Sequence, residues 1–288
     1  MSSVRLKLLD TQNIYGTMNS GTVKLSNLTD ADKVLLMHRH NLEYLSDVDN
    51  LKLDGADRAA IFKRHRRQFA KDEGFAWKKM FMADQVKLDG SVFEITKEYV
   101  EANPDGWTDI PEDILMIRSD LPGVAIGHPV ADCAVVVAED RKQGITTVDH
   151  CGGKMIDKKI PMMAIEALYS EGSKPEDIFV NVGSRAGDSW IYVKNRPDWA
   201  TDPEIWDETG AIIPGKLFNN GQVVDAYKIN QDKALAYQFA LVGIPEENIT
   251  YDEHDTIKDP NYYSNSKAIS DPEKQGRQFI GAVYQKVR

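Results

Sequence analysis

Ala131-Asp132-Cys133-Ala134-Val135-Val136-Val137-Ala138, followed after a turn by Ile145-Thr146-Thr147-Val148-Asp149-His150-Cys151-Gly152-Gly153-Lys154, decides how this chain folds. The apolar run after Cys133 reads as a strand buried on both faces. The β-branched run before His150 reads as a second strand. Asp140-Arg141-Lys142-Gln143-Gly144 joins them as a short turn, which suits hairpin neighbours. In a hairpin the start of one strand lies beside the end of the other. Cys133 and His150 then share one edge of the sheet. A thiol and an imidazole at a common rim are what a cysteine nucleophile or a metal site requires. Gly152 and Gly153 permit close backbone approach at a helix start, where free N–H groups can meet an anion. Lys154 adds a cation beside them. Gly183-Ser184-Arg185-Ala186-Gly187 is a second turn of similar type, with Arg185 as its cation. Each of these turns also suits an ordinary strand-to-helix connection, and a cysteine in an apolar run is often a small buried hydrophobe.

Composition limits the partners. The 288 residues carry 35 Lys and Arg against 45 Asp and Glu, a net charge of −10. Such a surface repels nucleic acid and anionic membranes. No apolar run approaches membrane-spanning length and no charged-then-apolar leader opens the chain, so the expectation is a soluble cytoplasmic protein. Two cysteines do not make a disulfide scaffold. There is no C-x-x-C pair for structural zinc and no dinucleotide fingerprint, P-loop, H-E-x-x-H or G-x-S-x-G. No repeat, low-complexity tract or linker interrupts residues 1–288, which favours one domain. Nothing in the sequence selects an oligomeric state.

Along the chain, Val4 to Leu9 alternates as a strand. Thr11 to Leu28 reads as loop or short hairpin, and Asp30 to Leu45 as a helix on which His38 and His40 fall on different sides. Asp57 to Glu73 is a helix with Ile61, Phe62 and Phe69 inward and Gly74 ending it. Its basic cluster Lys63-Arg64-His65-Arg66-Arg67 reads as a charged outer face, with anion binding as the alternative. Lys79 to Ile95 looks like two strands around Lys87-Leu88-Asp89-Gly90. Asn103 to Glu112 is loop, and Ile114 to Ile117 and Gly123 to Gly127 are strands. Asp157 to Glu171 is a helix with Pro161 near its first turn. Ile178 to Val182 is a strand, Arg196 to Gly221 irregular, Val224 to Gly243 a long amphipathic helix, Asp252 to Lys274 a polar loop and Phe279 to Gln285 a last strand.

Taken in order, these motifs resemble a known family. It is the laccase-domain or multicopper polyphenol oxidase family, later described as purine nucleoside phosphorylases and also called YfiH-like. Its A-D-C strand start is similar to Ala131-Asp132-Cys133, and its H-A-G-W-R-G turn to His150-Cys151-Gly152-Gly153-Lys154-Met155. His65 through Gly74 resembles its N-R-x-x-L helix. Asp113 through Gly123 resembles its entry strand, and Gly183 through Gly187 its G-P-x-I-G turn. Asp225 through Asn230 with Gly243 resembles a later helix, and Tyr262-Tyr263-Ser264 with Gly276-Arg277-Gln278 the closing F-F-S and G-R-Q. The likeness covers roughly residues 57 to 286.

The resemblance implies an α/β (α+β) fold, a mixed β-sheet covered by helices, which also looks like the cysteine hydrolase fold of the cytotoxic necrotizing factors. It implies a small-molecule substrate, a purine nucleoside, with phosphate in phosphorolysis of the N-glycosidic bond or with deamination at the base. It implies zinc held by Cys133, His150 and a His from a Q-V-H-G turn. Here that turn offers Asp89, or Lys87 if the gap falls differently, and Asp can ligate zinc. Lys154, Arg185 and Arg277 are the expected cations for phosphate or transition-state charge, with Gly152 and Gly153 beside them. The family's Trp is Gly153 here and its Arg is Lys154. Multicopper oxidation needs about ten His with a Cys; this chain has six His, so copper is not expected. Two alternatives stay open: a metal-free Cys133–His150 hydrolase or deamidase, and an inactive ligand-binding member.

Overall fold

The computed structural model describes residues 4–10, 15–16, 22–23, 30–32, 34–35, 51–52, 55–83, 87–106, 109–219, 222–267 and 276–287. The principal strands are Val4–Asp10 (β1), Met80–Ala83 (β2), Val92–Glu94 (β3), Asp109–Ile110 (β4), Ile114–Arg118 (β5), Ala125–Val130 (β6), Ala134–Asp140 (β7) and Ile145–Cys151 (β8). They continue with Ile178–Val182 (β9), Ile191–Val193 (β10), Ile212–Asn219 (β11), Gln222–Ile229 (β12), Ile249–Tyr251 (β13) and Gly276–Lys286 (β14). Helices are Gly55–Glu73 (α1), Lys97–Ala102 (α2), Gly153–Asp157 (α3), Ile160–Ser170 (α4) and Gln231–Leu241 (α5). No described helix is long and apolar enough to cross a membrane.

The quoted stretch forms the antiparallel pair β7–β8, with Val135 opposite His150 and Ala134 opposite Cys151. Its turn is made locally. The Asp140 carboxylate accepts the Lys142 and Gln143 N–H groups at 2.8 and 2.9 Å, and Gly144 takes φ +67°. β7 is apolar on both faces because each face meets a different layer. Val135 and Val137 pack with Ile126, Val130, Ile280 and Ala282 of a facing sheet. Ala134, Val136 and Ala138 pack with Ile165 and Leu168 of α4 and Leu235 and Phe239 of α5.

Two mixed sheets therefore face each other. One has the order β1-β14-β6-β2-β4 and the other β13-β9-β7-β8-β5-β3. Phe69 of α1 covers the outer face of the first, against Leu9, Met80, Phe279 and Val283. α4 and α5 cover the outer face of the second. A three-stranded antiparallel sheet, β10-β12-β11, is appended. The expected class, a mixed sheet under helices, holds. The addition is that β6 and β7, adjacent in sequence, belong to opposite sheets, so Ala131–Cys133 is a corner between layers.

Other expectations are corrected. Val224 to Gly243 is not one helix. Its first part continues β12, paired with β11 from Asn219–Gln222 to Ile212–Ile229, and the helix begins only at Gln231. Asn230 makes the break, since its side chain accepts the Lys233 N–H at 3.1 Å as an N-cap. The stretch 196–221, read as irregular, contains β11. The basic cluster of α1 is not simply an outer face. Arg64 and His65 reach the buried Asp32 at 2.7 and 3.0 Å, and Arg66 and Arg67 lie over the Trp77 ring. Within the helix expected over Asp30 to Leu45, residues 30–32 and 34–35 are described and helical; the rest of that stretch, with His38 and His40, lies outside the described residues.

Candidate active site

The corner before Cys133 is tightly held. Asp132 takes φ +73°, a conformation that Asp tolerates better than most residues. Its carboxylate accepts the Thr256 hydroxyl at 2.7 Å and the Ser266 N–H at 2.6 Å. Gln231, the first residue of α5, spans the cysteine. Its Nε2 donates to the Asp132 carbonyl at 3.0 Å, and its Oε1 accepts the Ala134 N–H at 3.1 Å. Both peptide neighbours of Cys133 are thus tied to other elements.

The β7–β8 register, extended by one residue, sets Cys133 across from Gly152. His150 then shares its face diagonally. Gly152 shows how close they come. A Cβ added there would lie 3.4 Å from Cys133 Sγ and 3.4 Å from His150 Nε2. The missing side chain leaves a small space that the thiol and the imidazole both border. Both residues are half-buried. Burial, reinforced by the Asp132 carboxylate, pushes the Cys133 thiol up to about 12, against the opposing pull of Arg277. Burial and then Arg277 hold the His150 imidazole down at about 4. Arg277, half-buried at the start of β14, thus projects its charge onto both groups.

The remaining expected residues divide. A side chain on Gly153 would force Trp199 to shift, because an added Cβ would sit 2.2 Å from its ring. Lys154 is exposed on the first turn of α3. Asp89 is not gathered with Cys133 and His150. It is exposed, and its carboxylate accepts the Ser91 N–H at 2.9 Å. Its turn is wrapped on the buried Asp113 carboxylate, which takes the Leu88, Asp89 and Gly90 N–H groups. Lys87 is paired with Glu112 at 2.9 Å. Arg185 is also placed differently from its expected role. It is buried, forms a bidentate pair with Asp232, donates to the Gly183 and Asp252 carbonyls and lies over the Tyr251 ring. A phosphate there would have to displace Asp232. The open groove beside it, about 770 Å³, is lined by Arg185, Asp232, His254 and Lys258, and not by Cys133 or His150.

Four residues given no role by the sequence motifs, two of them (Asp132 and Gln278) inside quoted motifs, bear on the site. Asp132 and Gln231 act through contacts between distant parts of the chain. His128 and Gln278 stand on β6 and β14, on the face that looks toward β7 and β8. His128 is 2% exposed, and its ring centroid is 6.1 Å from that of His150. Burial, then the neighbouring His150, hold it near 3. Its Nε2 is buried with no hydrogen-bond partner among the described residues, as are both polar atoms of the Gln278 amide. Buried polar atoms left without partners are uncommon in folded proteins.

Zinc can be tested against these residues. A thiol and an imidazole converging on the clear space at Gly152 are a donor pair suited to it. The orphaned His128 Nε2 nearby adds a lone pair with nothing to accept. Among the described residues, no three His, Cys, Asp or Glu side chains are drawn around one point. Among the described residues the match to zinc therefore stops at a pair of donors, with the His128 imidazole standing back.

Comparison with known proteins agrees with this frame. A purine nucleoside phosphorylase of Mycobacterium tuberculosis is 24% identical over 146 residues, which is 51% of this chain and 54% of the relative. Adenosine deaminase RL5, from an unknown prokaryotic organism, is 25% identical over 181 residues, 60% of this chain and 62% of that protein. The chain therefore spans about half to three-fifths of the curated relatives it matches. The crystal structure of Bacillus licheniformis YfiH superposes with a TM-score of 0.62 at 19% identity, covering 78% of this chain and 81% of that one, which shows a shared fold. The family model for multi-copper polyphenol oxidoreductase laccases matches residues 43–285. With the A-D-C corner and the His150–Gly152 turn facing each other inside that match, the chain belongs to the YfiH-like laccase-domain family.

Proposed function

We propose that the chain processes a purine nucleoside at the Cys133–His150 rim, by phosphorolysis of the N-glycosidic bond or by deamination of the base, with zinc held by Cys133 and His150. The observation that carries this is the convergence of Cys133 Sγ and His150 Nε2 on the space left open by Gly152. Relatives named purine nucleoside phosphorylase and adenosine deaminase support the substrate class.

When bound, zinc supplies Lewis-acid polarisation at the reacting group. The chain's own residues supply the rest. Asp132 and Gln231 fix Cys133, and Gly152 keeps the space between thiol and imidazole clear. Arg277 offers a cation for phosphate or for charge that develops on the substrate, and Lys154 a second, exposed one. In phosphorolysis a phosphate oxygen bonds to the ribose C1′ as the C1′–N bond breaks, and the electron pair leaves with the base. In deamination a water oxygen bonds to the base carbon as the bond to the amino nitrogen breaks; one water proton leaves with that nitrogen as ammonia and the other passes to the ring nitrogen. In phosphorolysis the departing base takes up the proton that the phosphate gives up, and Arg277 is the cation proposed to offset charge that develops on the substrate.

The test is turnover of adenosine, inosine and guanosine with and without phosphate, read by chromatography of nucleoside, base and sugar phosphate. The expected result is turnover of at least one nucleoside, lowered about a hundredfold or more by Cys133→Ala. Turnover that survives Cys133→Ala contradicts the reading. No metal, with alkylation of Cys133 at neutral pH, moves the site to a cysteine hydrolase. No turnover, with ligand-induced stabilisation, moves it to a binding protein.

A further inference from the structure

We propose that His128 is the third protein ligand of the metal, in place of the histidine that the resembling family carries in its Q-V-H-G turn. The inference rests on the metal reading above and names the residue that completes it. The turn itself offers no imidazole. The segment runs Asp84-Gln85-Val86-Lys87-Leu88-Asp89-Gly90. Lys87 is engaged by Glu112, and the Asp89 carboxylate by the Ser91 N–H in its own loop.

His128 comes from the opposite sheet. β6 pairs with β14 so that His128 lies opposite Ile280, and its side chain faces the inter-sheet core to which β7 and β8 contribute. Its ring is within 6.1 Å of the His150 ring, centroid to centroid. Its Nε2 is buried and accepts no hydrogen bond among the described residues. A buried lone pair with no donor is costly to the fold and well placed for a cation. Cys133, His150 and His128 together make a one-thiol, two-imidazole set, which leaves a fourth position for substrate. The three donors do not yet close on one point. Metal binding must therefore draw the His128 ring toward the pair at Gly152.

The experiment is equilibrium dialysis of the full chain with Co²⁺ and with Zn²⁺, with stoichiometry from elemental analysis and geometry from the cobalt spectrum. Wild type should bind one equivalent, with the thiolate-to-cobalt charge-transfer band and the intense visible bands of a four-coordinate site. His128→Leu, which removes the donor at similar volume, should weaken binding about a hundredfold or more and lose the four-coordinate spectrum. In metal-free buffer it should melt no lower than wild type, because it removes an unsatisfied buried group. His128→Cys should recover binding with a second thiolate band. Asp89→Ala and Lys87→Ala should bind as wild type does. Loss of metal in Asp89→Ala with retention in His128→Leu overturns the proposal. So does wild-type affinity in all three variants, which leaves the metal reading standing. A wild type that takes up neither ion overturns the metal reading and His128 with it.

Discussion

Gly152 and Gly153 are neighbours with different reasons to lack a side chain. A Cβ on Gly152 would sit at ordinary contact distance, 3.4 Å, from Cys133 Sγ, His150 Nε2 and Met155 Sδ. Its φ of −69° strains no L residue. Gly152→Ala is therefore expected to fold with near-wild-type stability while it blocks the space between thiol and imidazole, cutting nucleoside turnover at least tenfold. Gly153→Ala does the reverse, since its Cβ would overlap Trp199 at 2.2 Å. It should cost about 1–3 kcal/mol in denaturant titration. Equal stability losses in the two variants would refute the distinction. At this scale the sequence was legible where chemistry and local spacing coincide: Cys133 and His150 stand at the open end of two strands joined by one short turn, so their placement on one rim follows from a hairpin. His128 was not legible, because a lone His in an apolar strand reads as core and its neighbour lies on another sheet. Arg185 was legible as a cation but not as one already matched, since Asp232 is 47 residues further along.

The element that sets the site is the corner between β6 and β7, and α5 holds it. Gln231→Ala leaves the Ala134 N–H buried without its present partner, while the Asp132 carbonyl keeps the Ala186 N–H at 3.0 Å. The expected loss is about 1–3 kcal/mol for the group left unsatisfied. Asn230→Ala, one residue earlier, removes only the N-cap and should cost about 0.5–2 kcal/mol. The two also separate in reactivity. Gln231→Ala should alter the alkylation rate of Cys133 under native conditions, and Asn230→Ala should not. Equal effects on the thiol would show that Gln231 acts only through helix stability. The misread helix over Val224 to Gly243 has the same origin as this corner. Val223, Val224, Tyr227 and Ile229 are β-branched or aromatic and fit a strand, but apolar residues so closely spaced also fit a helical stripe. The choice is made by β11, whose partner pairing a local reading cannot see, and by the Asn230 cap.

On the scale of the whole molecule, two sheets face each other between helical layers, and the site lies where the chain crosses from one sheet to the other. The composition and strand pattern conveyed the class, because apolar runs such as Ala134–Ala138 demand cover on both faces. They did not convey that the strands divide between two sheets, since a buried strand looks the same against a helix or against another sheet. Arg185 joins distant parts of this frame. Arg185→Leu should destabilise by about 2–3 kcal/mol, and Asp232→Asn in the same chain should restore part of that, because the damage is a carboxylate left unmatched. Strict additivity of the two would show that the pair is not coupled. The most direct measurement is a crystal structure of the protein grown with inosine. The nucleoside is expected against Gly152, between Cys133 and His150 and within reach of Arg277. A nucleoside bound only in the groove of Arg185 and His254, with Cys133 and His150 closed off from it, would rule out a site at the Cys133–His150 rim.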